Sequence, residues 1–122
     1  MEKQQTVAVV DDEPNMLDAL KRMLNACGLA ADVFNSAKEF LASGSAESVG
    51  CLVLDINLGG ISGIELRRQL AAAGTRVPVI FMSARDGDAV RRDAMSAGCI
   101  AYLRKPFSGR DLMEAIDRAL GA

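Results

Sequence analysis

Short apolar runs alternate along the chain with segments of helical periodicity. The runs have strand length and are rich in Val, Ile and Leu. The predicted strands are Thr6–Val10, Ala30–Phe34, Cys51–Asp55, Val79–Ser83 and 100–103. The fourth run is almost wholly apolar, which is typical of a strand buried on both faces of a sheet.

Helical patterns fill the segments between these strands. In the first of them, Leu17, Leu20 and Leu24 recur at the spacing of one helix face. Ser36 and Ser62 each precede a Glu by three residues, which is a helix-start pattern. The predicted helices are 14–27, a short one after Ser36, 62–73, 88–97 ending at Gly98, and one opened by Ser108 and Asp111 that continues to Leu120. The segment 44–50 is predicted to be a polar loop.

The alternation of strand and helix predicts an α/β fold with a parallel sheet. Right-handed crossovers place helices on both faces of such a sheet. No Gly/Ser-rich linker or low-complexity tract interrupts the 122 residues, so we expect one domain over residues 1–122.

Composition excludes several classes of function. Lys and Arg total 14 against 16 Asp and Glu, and this net charge of −2 argues against nucleic-acid binding by the chain. The basic pairs 67–68 and 91–92 are interpreted as solvated helix faces. No apolar run approaches the roughly 18 residues of a membrane span, and the polar start is unlike a signal peptide.

The cysteines and the missing histidines narrow the chemistry further. Cys27, Cys51 and Cys99 are far apart, which favours reduced thiols and a cytoplasmic protein over disulfides or a zinc site. The chain contains no His, which removes Ser-His and Cys-His nucleophile pairs. Any chemistry must therefore use carboxylates, Lys, Ser or a cation held by oxygen.

Polar side chains end four of the five predicted strands. The first ends in Asp11 and Asp12, the third in Asp55, the fourth in Ser83 and the fifth in Lys105. Ligands bind beyond the carboxyl ends of the strands in open parallel sheets. We therefore expect these five side chains to converge on one edge of the sheet.

Three carboxylates that meet at one edge repel each other unless a cation is present. Oxygen ligands without His or Cys favour Mg²⁺ over zinc. Lys105 and the Ser83 hydroxyl suit the oxygens of a phosphoryl group. These are the parts that phosphoryl transfer to an aspartate such as Asp55 requires, because it depends on positioning and charge neutralisation.

Each of these residues also has an ordinary structural interpretation. Asp12 could cap the first helix, with Pro14 in its first turn. Asp55 and Ser83 could be loop or cap residues, and Lys105 could be a surface lysine. Only the joint pattern favours a functional site, since four different strands each end in a group that the chemistry needs.

Five segments give the chain a resemblance to the receiver domain of bacterial two-component response regulators. It extends from about residue 6 to 120 and looks most like receivers that precede a helix-turn-helix DNA-binding domain. The segments are 9–14 (VVDDEP), 52–55 (LVLD), 62–66 (SGIEL), 78–84 (PVIFMSA) and 103–107 (LRKPF).

The resemblance implies a flavodoxin-like (βα)5 fold with strand order 2-1-3-4-5. It implies that Asp55 accepts a phosphoryl group from a phosphohistidine of a sensor histidine kinase. Mg²⁺ would be held by Asp11, Asp12, Asp55 and the main-chain carbonyl of Asn57, with Asp12 as a direct ligand and Asp11 acting through water. Lys105 would pair with the phosphoryl group and precede a cis proline.

The resemblance further implies a switch formed by Ser83 and Tyr102. The Ser83 hydroxyl would turn toward the phosphoryl group, and Tyr102 would rotate inward. The face of the fourth helix, fifth strand and fifth helix would then change, giving a surface for an output domain, an effector or a second copy of the chain. Alternatively, Tyr102 is an ordinary half-buried aromatic residue of an edge strand.

The chain departs from the family pattern at two places. Gly59 and Gly60 stand where a Pro is usual, and glycines are expected to loosen that loop. Arg85 lies two residues after Ser83 and is hypothesised to affect dephosphorylation by steering or blocking the hydrolytic water.

Two other functions compete with the phosphoacceptor switch. An aspartyl-phosphate phosphatase also uses a strand-end Asp and Mg²⁺. Such enzymes carry an Asp-x-Asp motif whose second Asp is the general acid, and here Asn57 occupies that position. An interaction module that is never phosphorylated would keep the fold without the chemistry. The favoured interpretation is a signalling domain and not an enzyme.

Overall fold

A computed structural model of the chain describes residues 5–84 and 87–121. The strands are β1 (Thr6–Val10), β2 (Ala30–Phe34), β3 (Cys51–Asp55), β4 (Val79–Ser83) and β5 (Ala101–Arg104). The helices are α1 (Pro14–Ala26), α2 (Ala37–Ser43), α3 (Gly63–Ala72), α4 (Asp88–Ala97) and α5 (Gly109–Gly121), and a 3-10 turn covers Ser45–Glu47.

The strands form one parallel sheet in the order β2-β1-β3-β4-β5, which confirms the expected fold and strand order. Val10 pairs with Leu54, and Asp55 pairs with Met82. The register therefore brings the carboxyl ends of β1, β3 and β4 to the same level.

Two hydrophobic clusters cover the two faces of the sheet. Alternate strand residues point to opposite faces, so Val9 packs with α1 and α5, whereas Val10 packs with α2, α3 and α4. The largest fully buried side chains are Phe40, Phe81, Leu24, Leu52, Leu54, Leu66, Ile80, Met82, Leu112, Ile116, Val7 and Val9. The central strands are buried along their length, as their apolar sequences predict.

Helix ends follow the serine and glycine signals of the sequence. The hydroxyl oxygens of Ser36, Ser62 and Ser108 each accept a hydrogen bond from the backbone N–H three residues later, at 3.0 to 3.1 Å. Gly98 ends α4 with a positive φ of 93°. These predicted caps are confirmed.

A few boundaries differ from the predicted ones. β5 covers Ala101–Arg104, one residue later than predicted, because its backbone pairs with β4 as far as Ser83. Backbone pairing does not depend on side-chain polarity, whereas the prediction ended with the apolar run. Cys27 caps α1 instead of belonging to it. The predicted polar loop contains the 3-10 turn.

Helix α4 is held with little apolar burial. Ala94 is its one buried residue among those described, and no side chain caps its start. Polar links connect it to α3: Arg67 Nε donates to Gly98 O at 3.1 Å, and Arg68 pairs with Asp93 at 2.7 Å. The interpretation of Arg67 as a solvated residue is wrong, since its side chain is partly buried against α4.

None of the helices in residues 5–84 and 87–121 is long and apolar enough to cross a membrane.

Replacing Phe40 by Ala tests the packing of the α2 side of the core. Phe40 is fully buried and meets the Phe34 ring edge-on, with the ring centroids 5.4 Å apart. We expect Phe40→Ala to lower the free energy of unfolding by about 3–5 kcal/mol. Leu41→Ala is the control, because Leu41 is 43% exposed, and its loss should be below about 1 kcal/mol. Equal losses in urea denaturation would contradict the described packing.

Candidate functional site

Backbone pairing fixes the strand ends on which the site is built. The N–H of Asp11 donates to Phe34 O at 3.1 Å, and that of Ile56 donates to Met82 O at 2.9 Å. Lys105 N donates to Ser83 O at 2.8 Å, which ties the end of β5 to the end of β4. The residues that follow the strands are therefore positioned by the sheet itself.

Three carboxylates meet at this edge. One oxygen each from Asp11, Asp12 and Asp55 lies within 4.8 Å of the others. Asp11 and Asp55 are buried, whereas Asp12 is exposed. The expected convergence of these side chains is thus observed.

Lys105 lies between the two buried carboxylates. Its Nζ is 2.8 Å from Asp11 Oδ2 and 3.0 Å from Asp55 Oδ2, and its side chain is 18% exposed. The Lys105–Pro106 bond is cis, as the resemblance implies. Lys105 is therefore a partner of the carboxylates and not a free surface lysine.

The second oxygen of each buried carboxylate is bound by a nearby backbone N–H. Asn57 N donates to Asp55 Oδ1 at 2.9 Å, and Glu13 N donates to Asp11 Oδ1 at 3.0 Å. With Lys105 on the other oxygen, both carboxylates have a fixed orientation. Asp12 does not cap α1: the N-cap residue is Glu13, without a side-chain cap bond, so this structural alternative is wrong.

The electrostatics of the site reflect burial opposed by pairing. Burial raises the pKa of Asp55, and the charge of Asp11 adds to this, while the hydrogen bonds from Asn57 N–H and Lys105 act against it. Burial lowers the pKa of Lys105, but hydrogen bonds to Asp11 and Asp55 outweigh it, so the pKa lies above its ordinary value. Lys105 is therefore held in its charged form.

The donor set fits a hard divalent cation. Carboxylate oxygens from three residues converge here, and two of these residues are held rigidly. One lysine charge cannot balance three carboxylates, so a further positive charge relieves the repulsion. Mg²⁺ prefers oxygen ligands and is commonly bound through one or two carboxylates. The site can therefore hold Mg²⁺ and stabilise a phosphoryl group beside Asp55.

The other residues of the predicted site lie around this cluster. Ser83 is fully buried at the end of β4, next to the strand of Asp55. Tyr102 is half-buried on the edge strand β5, with the Arg91 guanidinium carbon 5.7 Å from its ring centroid. Asn57 is exposed in the loop after β3. Arg85 lies outside the described residues.

Sequence reasoning gave no role to Gly63 and Arg91. Gly63 begins α3 directly against the backbone of Asp55. Gly is a poor helix former, so its presence in the first turn of a predicted helix was the one sequence signal that this position has a special packing role. Arg91 on Tyr102 has no sequence signal, because the contact joins residues on different elements.

Known proteins similar to this chain are response regulators. It is 37% identical over 115 residues to the transcriptional regulatory protein TdiR of Thauera aromatica, covering 94% of this chain and 51% of that protein. It is 35% identical to the transcriptional regulatory protein FixJ of Azorhizobium caulinodans, covering 94% of this chain and 54% of that protein. The chain thus spans about half the length of the curated relatives it matches.

Solved structures and a family model agree with these relatives. A response regulator receiver protein from Burkholderia phymatum superposes with a TM-score of 0.84 at 41% identity, covering 97% of this chain and 96% of that one. The N-terminal part of FixJ superposes with a TM-score of 0.88 at 34% identity, covering 98% and 96%. The model of the response regulator receiver domain matches residues 7–117. The chain therefore belongs to the receiver domain family of response regulators.

Proposed function

We propose that this receiver domain is a switch driven by phosphorylation of Asp55 in the presence of Mg²⁺. The phosphoryl donor is a phosphohistidine of a sensor histidine kinase, and the absence of His from this sequence fits a donor on another protein. The observation that carries the proposal is the contact of Lys105 Nζ with both Asp11 and Asp55, beside the exposed carboxylate of Asp12.

The transfer is a displacement at phosphorus. A carboxylate oxygen of Asp55 forms the new P–O bond as the P–N bond to the donor imidazole breaks, and the bonding pair leaves with the imidazole nitrogen. Asp12, Asp55 and the carbonyl of Asn57 would hold Mg²⁺, with Asp11 acting through water, and the bound ion would supply charge neutralisation at the phosphoryl oxygens.

The side chains of the site orient and stabilise the reacting groups. The N–H of Asn57 holds one oxygen of Asp55 and so fixes the rotation of the carboxylate. Lys105 provides a positive charge beside Asp55 and then pairs with the phosphoryl oxygens. The Ser83 hydroxyl donates to the same group. In this proposal the domain is a phosphoacceptor that takes part in its own phosphorylation and dephosphorylation, and not an enzyme.

The output is a rearrangement of the face formed by α4, β5 and α5. The Ser83 hydroxyl turns toward the phosphoryl group, and Tyr102 rotates inward from its half-buried position. The weak apolar anchoring of α4 supports this, because an element with few buried contacts changes position at low cost. Phosphorylation is thereby converted into a change of surface.

We propose two kinds of partner besides the kinase. The altered face binds an output domain or effector, or a second phosphorylated copy of the chain. The relatives are about twice as long as the matched segment and are named transcriptional regulators. This supports a role as the receiver of a longer transcription regulator.

Mass spectrometry after incubation with acetyl phosphate and Mg²⁺ tests the acceptor assignment. Wild type should gain the mass of one phosphoryl group, and Asp55→Asn should gain none, because the amide is a poor nucleophile. Asp32→Asn, at an exposed carboxylate of β2, is the control and should label like wild type. Equal labelling of Asp55→Asn would contradict the assignment, and an unlabelled wild type would favour an interaction module.

Neutralising Asp12 tests the metal cluster. Without Mg²⁺, Asp12→Asn removes one of three mutually repelling carboxylates. It should raise the free energy of unfolding by about 0.5–1 kcal/mol at low ionic strength. Added Mg²⁺ should stabilise wild type by mass action but have much less effect on Asp12→Asn. The metal assignment is wrong if denaturation shows that Mg²⁺ stabilises both proteins equally.

Tyrosine fluorescence tests the switch pair. The chain has one Tyr and no Trp, so its tyrosine emission reports Tyr102 alone. Emission should change when wild type is labelled with acetyl phosphate. The labelled fraction of Ser83→Ala should keep the emission of unlabelled protein, because the hydroxyl that couples to Tyr102 is absent. The same change in both proteins would show that Ser83 is not part of the switch.

A further inference from the structure

Gly63, the first residue of α3, lies against the backbone of the acceptor residue. A Cβ built on Gly63 would overlap the carbonyl oxygen of Asp55 and lie 3.1 Å from Asp55 C and from Ile56 Cα. All three neighbours are backbone atoms, which cannot move aside as the end of a flexible side chain can. Any larger residue at this position must therefore displace main chain.

A hydrogen bond accompanies this close approach. The N–H of Gly63 donates to Ile56 O at 2.9 Å and closes the loop that leaves β3. The other glycines of this loop have no such neighbours: a Cβ on Gly59 or Gly60 would meet nothing within 4 Å. Gly60 is required by its positive φ of 103°. Among the glycines of this loop, close packing is thus specific to Gly63.

The sheet leaves little room for the displacement that a Cβ would cause. Asp55 pairs with Met82 in the central part of the sheet, and Ile56 N donates to Met82 O at 2.9 Å. On the other side, α3 is anchored by buried Ile64 and Leu66. The Asp55–Ile56 peptide lies between β3 and α3, which are both held in place. A Cβ on Gly63 would therefore displace this peptide, and with it the following residue, Asn57.

That peptide positions the reactive carboxylate. The N–H of Asn57 holds Asp55 Oδ1 at 2.9 Å, and the carbonyl of Asn57 belongs to the proposed Mg²⁺ ligands. A shift of the Asp55–Ile56 peptide would change the position of both groups of Asn57. Residues that orient the ligands of a metal affect its affinity even though they do not touch it.

We propose that Gly63 is a positioning residue of the phosphoacceptor site. Because Gly63 has no side chain, the first turn of α3 can lie directly against the Asp55 carbonyl. This contact fixes the position of Asn57 relative to the acceptor carboxylate. This inference rests on the proposed function, because it concerns how the Mg²⁺ and phosphoryl site is formed.

Three variants test this role. Gly63→Ala introduces the clash, whereas Gly59→Ala adds the same methyl group to the same loop in open space. Ser62→Ala removes the hydrogen bond that the Ser62 hydroxyl accepts from Glu65 N. It therefore destabilises the start of α3 without adding a steric clash with Asp55. The comparison with Ser62→Ala separates an effect on the site from a general loss of stability.

Mg²⁺ binding is measured by titration calorimetry at a temperature where circular dichroism shows each variant to be folded. Gly63→Ala should bind Mg²⁺ about tenfold more weakly or worse. Gly59→Ala and Ser62→Ala should bind like wild type, although Ser62→Ala has a lower melting temperature. Hydrogen exchange in metal-free protein should show that the Asn57 amide loses protection in Gly63→Ala alone.

The remaining outcomes decide against the proposal. Wild-type Mg²⁺ affinity and Asn57 protection in Gly63→Ala would overturn it, as would equal weakening of Mg²⁺ binding in Ser62→Ala. If Gly63→Ala does not fold at any temperature, the role of Gly63 is purely structural and the proposal is also wrong. If wild type itself binds no Mg²⁺, the proposed function fails. The hydrogen exchange of the Asn57 amide in metal-free protein then tests the role of Gly63 independently: loss of protection in Gly63→Ala alone supports it, and unchanged protection contradicts it.

Discussion

The bridge from Lys105 to Asp11 and Asp55 is the interaction on which the site depends. It joins the ends of β5, β1 and β3, which are far apart in sequence, with Nζ–oxygen distances of 2.8 and 3.0 Å. Without it, the buried carboxylates at neighbouring strand ends would repel each other with no positive charge between them. The hydrogen bond and positive charge of Lys105 oppose the rise in the pKa of Asp55 that burial causes, and so favour the ionised carboxylate that the proposed acceptor site requires.

The rest of the fold holds this bridge in place from two directions. The parallel register brings the strand ends level, and backbone N–H groups two residues later fix the outer oxygens of Asp11 and Asp55. Helix α4, in contrast, has one fully buried side chain among the described residues, Ala94, with Val90 and Ala97 partly buried, and polar links join it to α3. The proposed switch would thus combine a carboxylate edge fixed by the sheet with a helix that buries little apolar surface.

Much of the fold was predictable because it depends on local patterns. The apolar runs predicted the strands, and serines predicted the starts of α2, α3 and α5. The strand-end rule placed Asp11, Asp55 and Lys105 together. The contacts that could not be predicted join different elements, and they depend on how those elements pack in three dimensions and not on the sequence of either one. The hydrogen bond of Arg67 to Gly98 O and the packing of Gly63 on Asp55 are of this kind. The last residue of β5 escaped because backbone pairing continued past the apolar run.

The central claim is that the carboxylates of Asp11, Asp12 and Asp55 form a cation site next to the acceptor oxygen. The most direct measurement is a crystal structure grown with Mn²⁺, which binds oxygen sites like Mg²⁺ and gives an anomalous signal. The account predicts one strong anomalous peak at about 2.2 Å from oxygens of Asp12 and Asp55 and of the Asn57 carbonyl. A map without a peak at this edge, at saturating Mn²⁺ and with these carboxylates ordered, would contradict it.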